Sequence, residues 1–525
     1  MLVGLPVKLS AGYAVLLVAI FALGYVAIVL EHTLRLNKAA AALITGVACW
    51  TVFIASGDPH HVNEQLSHHL GELSQVLFFL LAAMTIVEVI DAHDGFEVIT
   101  SRVRTASRRN LLATLASLAF LLSAVLDNLT ASIVMMSLVR KLASDQEDRM
   151  YYGGVVIIAA NAGGVWSPIG DVTTTMLWVG GQVTTTKIVS HLVLPALVSV
   201  LVPVLWVGAR LKGEVRRSRG GSSAARRAQE SIAEIAGQHS AGPIEVTLPL
   251  EAASVGRTLA ELNVRARTGA SVVTRRRGEE TATPSPVDRL EAGDVLALAG
   301  SPEQIVGAVE LLVTGHGPKP TTPAERMLVL AAGMGLLLFV PVFKTVTHLP
   351  PVMGILLGLG ILWTLTELVH KRKTDDARGP LTVSSALQRV DAQSVLFFLG
   401  ILLAITALQS DGALTRLAVW MSRTIGNVDA ITLLIGLSSS VVDNVPLVAA
   451  AQGMYPLSEF PIDHRFWLFL AYCAGTGGSI LIIGSAAGVA VMGIERISFG
   501  WYFRKLSLPA LLGYAAGAIA FIATS

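Results

Sequence analysis

Leu121-Leu122-Ser123-Ala124-Val125-Leu126-Asp127-Asn128-Leu129-Thr130 and Gly436-Leu437-Ser438-Ser439-Ser440-Val441-Val442-Asp443-Asn444-Val445-Pro446 are two variants of one phrase. Each sets an Asp-Asn pair inside an otherwise apolar run. A carboxylate at membrane depth costs about 3 kcal/mol or more unless it faces a partner, a cavity or an ion. Two such pairs, far apart in the chain, predict one site assembled from two halves.

The surrounding composition places that site in a bilayer. Of 525 residues, 53% are hydrophobic and 14% charged, and the mean hydropathy is +0.63. The apolar residues fall in runs of about 20, the length that crosses the hydrocarbon core as a helix. Barrel strands would alternate instead. The fold class expected is an all-α polytopic membrane protein, and membrane lipid is its first partner. The net charge of +2 gives no reason to expect nucleic acid. Cys49 and Cys473 both lie in apolar segments, which argues against a disulfide or a cysteine metal site. The first apolar run, from about residue 11 to 30, is long for a signal-peptide core and reads as a span.

Apolar runs fill residues 1–212 and resume over 321–525. Between them, residues 213–320 differ sharply. A basic stretch comes first (Arg210, Lys212, Arg216, Arg217, Arg219, Arg226, Arg227), which the positive-inside rule assigns to the cytoplasm. A small α/β domain follows. Strands are predicted over 244–248, 270–274 and 294–299, a short helix over 258–262, and a closing helix over 302–313 with Pro302 in its first turn.

The two membrane halves repeat each other in order. Val76-Leu77-Phe78-Phe79 matches Val395-Leu396-Phe397-Phe398, Asp94-Gly95 matches Asp411-Gly412, and Asp127-Asn128 matches Asp443-Asn444. Gly163-Gly164 with Gly170 matches Gly477-Gly478 with Gly484 at the same spacing. Charge supplies the orientation. The loop 57–73 before the first copy holds Asp58, Glu64 and Glu72 but no Lys or Arg. The segment before the second copy holds Lys371, Arg372, Lys373, Arg378 and Arg389. The copies therefore enter from opposite faces, as two inverted repeats.

In inverted-repeat transporters the site lies near the midplane at broken or re-entrant helices. Four breaks are predicted: the two Asp-Asn pairs, the run Asn161 to Thr175, and the run Gly475 to Ser485. Gly, Ser, Thr and Pro let the backbone open there. The donors on offer are carboxylate, amide and hydroxyl oxygens, which suit a hard cation. A buried carboxylate holds a proton or a cation in turn, which is the simplest basis for exchange. Asp127, Asp443 and Asp171 are the candidate carriers.

Two resemblances sharpen this reading. Val255-Gly256-Arg257-Thr258-Leu259-Ala260-Glu261-Leu262, Gly269-Ala270-Ser271-Val272-Val273, Pro284-Ser285-Pro286 and Gly293-Asp294-Val295-Leu296 resemble the TrkA-C (RCK-C) domain, over roughly 243–314. That likeness implies pairing, hence a homodimer, and a small regulatory ligand. No Gly-rich dinucleotide fingerprint accompanies it. The two Asp-Asn phrases, the run Asn161 to Trp178 and the run Ala471 to Gly488 resemble the NhaD-type sodium/proton antiporters of the ion transporter superfamily. That likeness implies export of Na+, and often Li+, in exchange for H+ across a bacterial inner membrane. No resident cofactor is implied. It assigns ion handling to Asp127, Asn128, Asn161, Asp171, Thr173, Thr174, Ser439, Asp443 and Asn444; of these, Asp127 and Asp443, one from each half, are expected to bind the transported Na+. Gln75 stands where the family aligns a glutamate.

Blander roles compete with these. The Asp-Asn pairs could cap helices, Thr173, Thr174 and Thr175 could bond their own helix, and Glu367 should snorkel. Glu88 is either a proton group or a snorkelling side chain. His60, His61, His68 and His69 are expected on a solvated outer loop. A sodium-coupled anion symporter of the same superfamily is the rival function, although acidic residues at the breaks repel anions. A ligand-gated channel would not need the repeat. No nucleophile–base pair suggests an enzyme.

Overall fold

The computed structural model describes residues 11–29, 31–56, 59–103, 105, 107–211, 213–215, 243–249, 252–278, 280–314, 321–371, 373–374 and 378–525. Most of the basic stretch beyond Arg210 lies outside them. Among the described residues, eight helices are long and apolar enough to cross a membrane. The chain divides into a larger unit, Met1–Arg140, Asp145–Val215 and Pro323–Ser525, and a smaller unit, Lys141–Ser144 and Arg216–Thr322.

The larger unit is helical. Its first half runs α1 (Ala11–Val29), α2 (Lys38–Ser56), α3 (Pro59–Ala92), α4 (Arg108–Ser123), α5 (Asn128–Leu142), α6 (Gln146–Gly164), α7 (Val172–Val179) and α8 (Thr185–Arg210). Three long helices are followed by a helical hairpin (α4–α5), a helix broken over 165–171 (α6–α7), and a final long helix. α3 runs on from Pro59 without a break, so the part of the predicted outer loop from Pro59 onward is helix. His60, His61, His68 and His69 lie on that helix, with His69 within 3.3 Å of Ser410 Oγ.

Each hairpin and broken helix is punctuated by polar caps at the expected points. Ser107 accepts from Asn110 N at the start of α4, Asp145 from Asp148 N at α6, and Asp171 from Thr173 N at α7. Such caps satisfy amides that have no partner within the helix. The interruption at 165–171 follows from Gly163-Gly164 and Pro168.

The smaller unit contains a four-stranded antiparallel sheet of order β1-β4-β2-β3. Its strands are β1 (Ile244–Thr247), β2 (Ser271–Arg277), β3 (Glu280–Ala282) and β4 (Val295–Ala299). Between β1 and β2, Thr258 and Glu261 form a reciprocal capping box around the helix Leu259–Leu262. After β4, α9 (Pro302–Thr314) packs Ile305, Ala308, Val309 and Leu312 into a core with Leu248, Leu290 and Leu298. β3 was not foreseen; it is only three residues long and turns back through Gly278 at φ +60°.

Asp294, 1% exposed, is a buried charge of this unit. Arg277 grips it twice, Nε to Oδ1 at 2.7 Å and Nη2 to Oδ2 at 2.9 Å, and Glu291 N donates to Oδ2. Removing one partner leaves a buried charge uncompensated, at a cost of about 3 kcal/mol. Arg277→Ala is therefore expected to speed amide hydrogen exchange across β2 and β4 in the full-length protein by about a hundredfold, with exchange in α4–α7 unchanged.

The second half of the larger unit runs in a similar order with one added helix, α13: α10 (Pro323–Thr347), α11 (Pro351–Val369), α12 (Ala392–Ser410), α13 (Ala413–Ile425), the hairpin α14 (Val428–Ser438) and α15 (Asn444–Met454), the broken helix α16 (Arg465–Gly477) and α17 (Ala486–Glu495), and α18 (Leu508–Thr524). α2 packs on α12, α3 on α11, and α8 on α18, so the halves interlock. Glu495 in α17 ties them by accepting from Arg140 Nε at 2.6 Å and Arg149 Nε at 2.8 Å.

Just beyond α3 and α11, His93 and His370 stack 5.0 Å apart with their Nε2 atoms 2.7 Å apart. His93 Nδ1 lies 2.6 Å from Val89 O and so carries the proton there. His370 Nε2–H then donates to His93 Nε2, which leaves His370 Nδ1 buried without a hydrogen bond, 4.0 Å from Glu325 Oε1. Burial, with Lys373 and His93 nearby, pushes the His370 imidazole down to about 4. The unfolded chain therefore binds the proton first as acid is added. The pair's contribution is complete above the ordinary histidine range and is lost as pH falls from about 6.5 towards 4. Melting curves should show a steeper loss of stability from neutral to mildly acidic pH in the native protein than in His370→Phe.

Candidate functional site

The two hairpins meet the two broken helices in matching ways. Ser123 Oγ, at the end of α4, donates to Ala160 O at 2.6 Å. Ser439 Oγ, just after α14, donates to Ala474 O at 2.8 Å. A Cβ at Gly170 would stand 2.3 Å from Ser123 O, and one at Gly484 2.5 Å from Ser440 O. Backbone is packed on backbone at both tips, and only glycine fits.

The tips carry the Asp-Asn pairs. Asp127 accepts from Thr130 N at 2.9 Å and Thr130 Oγ1 at 2.6 Å. Asp443 accepts from Val445 N at 3.1 Å. Both are thus helix caps, and both are partly exposed. The adjacent asparagines turn inward to one carboxylate, Asp171, which is 2% exposed. Asn128 Nδ2 lies 3.5 Å from Asp171 Oδ2, and Asn444 Nδ2 lies 3.5 and 3.4 Å from its two oxygens. Asp127 and Asp443 both act on Asp171 electrostatically.

Asn161 joins the halves. Its Oδ1 accepts from Asn128 Nδ2 at 3.0 Å, and its Nδ2 donates to Ser479 Oγ at 2.9 Å and Ser485 Oγ at 3.0 Å. Thr173 N donates to Asp171 Oδ1 at 3.0 Å, while the buried Thr173 hydroxyl has no hydrogen-bond partner. Beside the cluster, Asp127 and Thr175 help line a cavity of about 30 Å³ together with Phe79, Met84, Ile169 and Leu337. A site of that size holds one or two water-sized species.

The predicted residues therefore play unequal parts. Asn128, Asn161, Asp171, Thr173 and Asn444 converge. Thr174 gives its hydroxyl to Asp171 O, Thr175 gives its own to Pro168 O, and Ser439 seats the second hairpin. Glu367 pairs with Arg378. Ser479 and Ser485 were overlooked as contacts. Ser485 follows Gly484 in the sequence as Asp171 follows Gly170.

Comparison with known proteins gives the class. A family model described as CitMHS, citrate transporter, matches residues 25–468. The chain is 39% identical to sodium/proton antiporter 1 of Arabidopsis thaliana over 98% of this chain and 73% of the relative. It is 40% identical to sodium/proton antiporter 2 of the same plant over 96% of this chain and 98% of the relative. It is 27% identical to the Na+/H+ antiporter NhaD of Vibrio cholerae over 97% of this chain and 91% of the relative. These relatives are transporters, not enzymes, and the chain is a multi-pass membrane transporter of the CitMHS family, akin to the NhaD-type sodium/proton antiporters.

Proposed function

We propose that this protein exchanges Na+, with Li+ as a second substrate, for H+ by alternating access, and that the exchange occurs at Asp171. The observation that carries the reading is the convergence of side-chain amides from both hairpin tips on one buried carboxylate. A charge out of water needs compensation. Bound Na+ supplies it in one form of the site and a proton on the carboxylate supplies it in the other. The Thr173 hydroxyl and the amide oxygens of Asn128 and Asn444 are neutral ligands for a hard cation. The C-terminal ends of α6 and α16, where backbone carbonyls are freed, add favourable dipoles. Asp127 and Asp443 are flanking carboxylates that draw cations to the breaks and bind them in passage.

The matching element order supports two inverted repeats, with α4–α5 entering from the cytoplasmic face and α14–α15 from the opposite one. The smaller unit supports a TrkA-C-type regulatory domain inserted between the repeats, taking a small ligand and pairing two subunits. A bacterial inner membrane is the proposed setting, and the Arabidopsis relatives make a plant-cell membrane its alternative. Gln75 is one helical turn from Phe79, which lines the cavity, so the missing carboxylate there bears on the pH range of exchange.

The citrate transporter description of the matching family favours a second reading, sodium-coupled uptake of a carboxylate anion. The test is proton movement in everted vesicles from an antiporter-deficient strain, with NaCl, LiCl or KCl added at neutral to alkaline pH. Dequenching of a pH-gradient dye by Na+ or Li+ supports antiport. Its absence, together with Na+-dependent uptake of citrate, moves the protein to the symport reading.

A further inference from the structure

We infer that Lys344 is a positioning residue that holds the ion cavity closed on its own side of the membrane. The inference rests on the alternating-access reading above. It starts from α10, which sends Leu337 into the cavity beside Asp127 and carries Lys344 two turns further on, about 10 Å along the axis. A lysine so near the end of a span ordinarily snorkels into water. This one turns inward. Its Nζ donates to Trp178 O at 2.7 Å and lies 4.6 Å from the centre of the Trp178 ring. No carboxylate pairs with it among the described residues.

Trp178 is in the last turn of α7, the half-helix that Asp171 caps at its other end. An ammonium there meets a carbonyl at a helix C-terminus, which also accepts from Gly181 N at 3.3 Å, and a positive charge is favoured at that end. Trp178 is fully buried and packs edge-to-face on Phe79, with ring centres 6.2 Å apart. Phe79 in turn lines the cavity. A continuous stack therefore runs from Lys344 through Trp178 and Phe79 to the space beside Asp127. α10 packs on α3 and α11, and α7 packs on α15 and α16 as well as on α3. Lys344 ties α7 directly to α10. Opening the cavity towards Lys344 requires α7 to move from α10, which breaks both the charge-assisted hydrogen bond and the ring contact.

The test uses full-length protein with Leu337→Cys as reporter; native Cys49 and Cys473 are both buried. A membrane-impermeant maleimide is applied from the face nearest Lys344, in vesicles. Adding Lys344→Met should raise the labelling rate about tenfold, the equivalent of losing one hydrogen bond to a charged group. Lys344→Arg should restore slow labelling, and Lys344→Gln, which keeps a donor without the charge, should fall between. The Lys344→Met protein should still exchange, with a lower KM for Na+ on that face because the open form is more populated. Equal labelling in Lys344 and Lys344→Met proteins would overturn the inference, and if Lys344→Met does not accumulate, Lys344→Gln decides by the same comparison. Labelling reports closure whether or not exchange occurs. A failed exchange assay in which Lys344→Met still labels about tenfold faster therefore strikes the antiport reading and leaves the latch standing.

Discussion

Asp171→Asn is expected to abolish Na+- and Li+-driven proton movement while leaving the protein folded. The substitution keeps the shape of the side chain and its capping oxygen, so Thr173 N retains its acceptor and α7 its start. Only the charge and the proton site go. A cation about 4 Å from a carboxylate gains about 4 kcal/mol at the effective dielectric of a protein interior, so apparent cation affinity should fall about a thousandfold. Proton release should vanish with it, since an amide cannot alternate between the two loads. Asp127→Asn and Asp443→Asn should also impair exchange, though less. Those carboxylates already spend oxygens on Thr130 and Val445 and are not gripped by amides from the opposite half. Vesicle assays at matched protein level, with a melting curve for each variant, check the order. Full exchange in Asp127→Asn would remove it from the site, and full exchange in Asp171→Asn would dismiss the proposed centre.

That ordering was only partly legible in the sequence. The two Asp-Asn phrases announce themselves because a charged pair in an apolar run is costly, and they correctly mark the hairpin tips. Their spacing does not say which residue of each pair turns inward. The cap geometry decides it: the aspartate oxygens are drawn back to their own helix amides, and the asparagine one position on is left to face the centre. Asp171 looked like one candidate carboxylate among three because the sequence hides that both tips close over it. The helical run from Pro59 was missed since its polar residues, with four histidines, read as solvated loop. A long helix that begins beyond the apolar band is invisible to hydropathy. The smaller unit was more legible. Its strands and capping box follow local patterns, whereas β3 and the one-turn helix Val264–Thr268, both too short to carry a period, escaped.

The glycines that match between the halves should matter nearly as much as Asp171, for a purely steric reason. A Cβ at Gly477 would stand 1.9 Å from Gly436 O, where ordinary contact begins at 3.4 Å. The matching position in the first half, Gly163, would put its Cβ 2.3 Å from Phe120 O. In each case the obstacle is backbone, which cannot rotate away as a side chain would. Gly477→Ala must therefore push α14 from α16 by about 1.5 Å, or strain both, at a cost of about 3 kcal/mol. The displaced hairpin carries Asn444, whose amide is already at the outer limit of a hydrogen bond to Asp171. Gly477→Ala is expected to lower exchange at least tenfold and to lower the melting temperature, and Gly163→Ala to do the same through α4 and Asn128. Gly493→Ala, in α17 with nothing within 4 Å of its Cβ, is the control. It should leave exchange intact and stabilise the helix by up to about 1 kcal/mol. If Gly477→Ala exchanged as well as Gly493→Ala, the close seating of the hairpin on the broken helix would have no part in shaping the site.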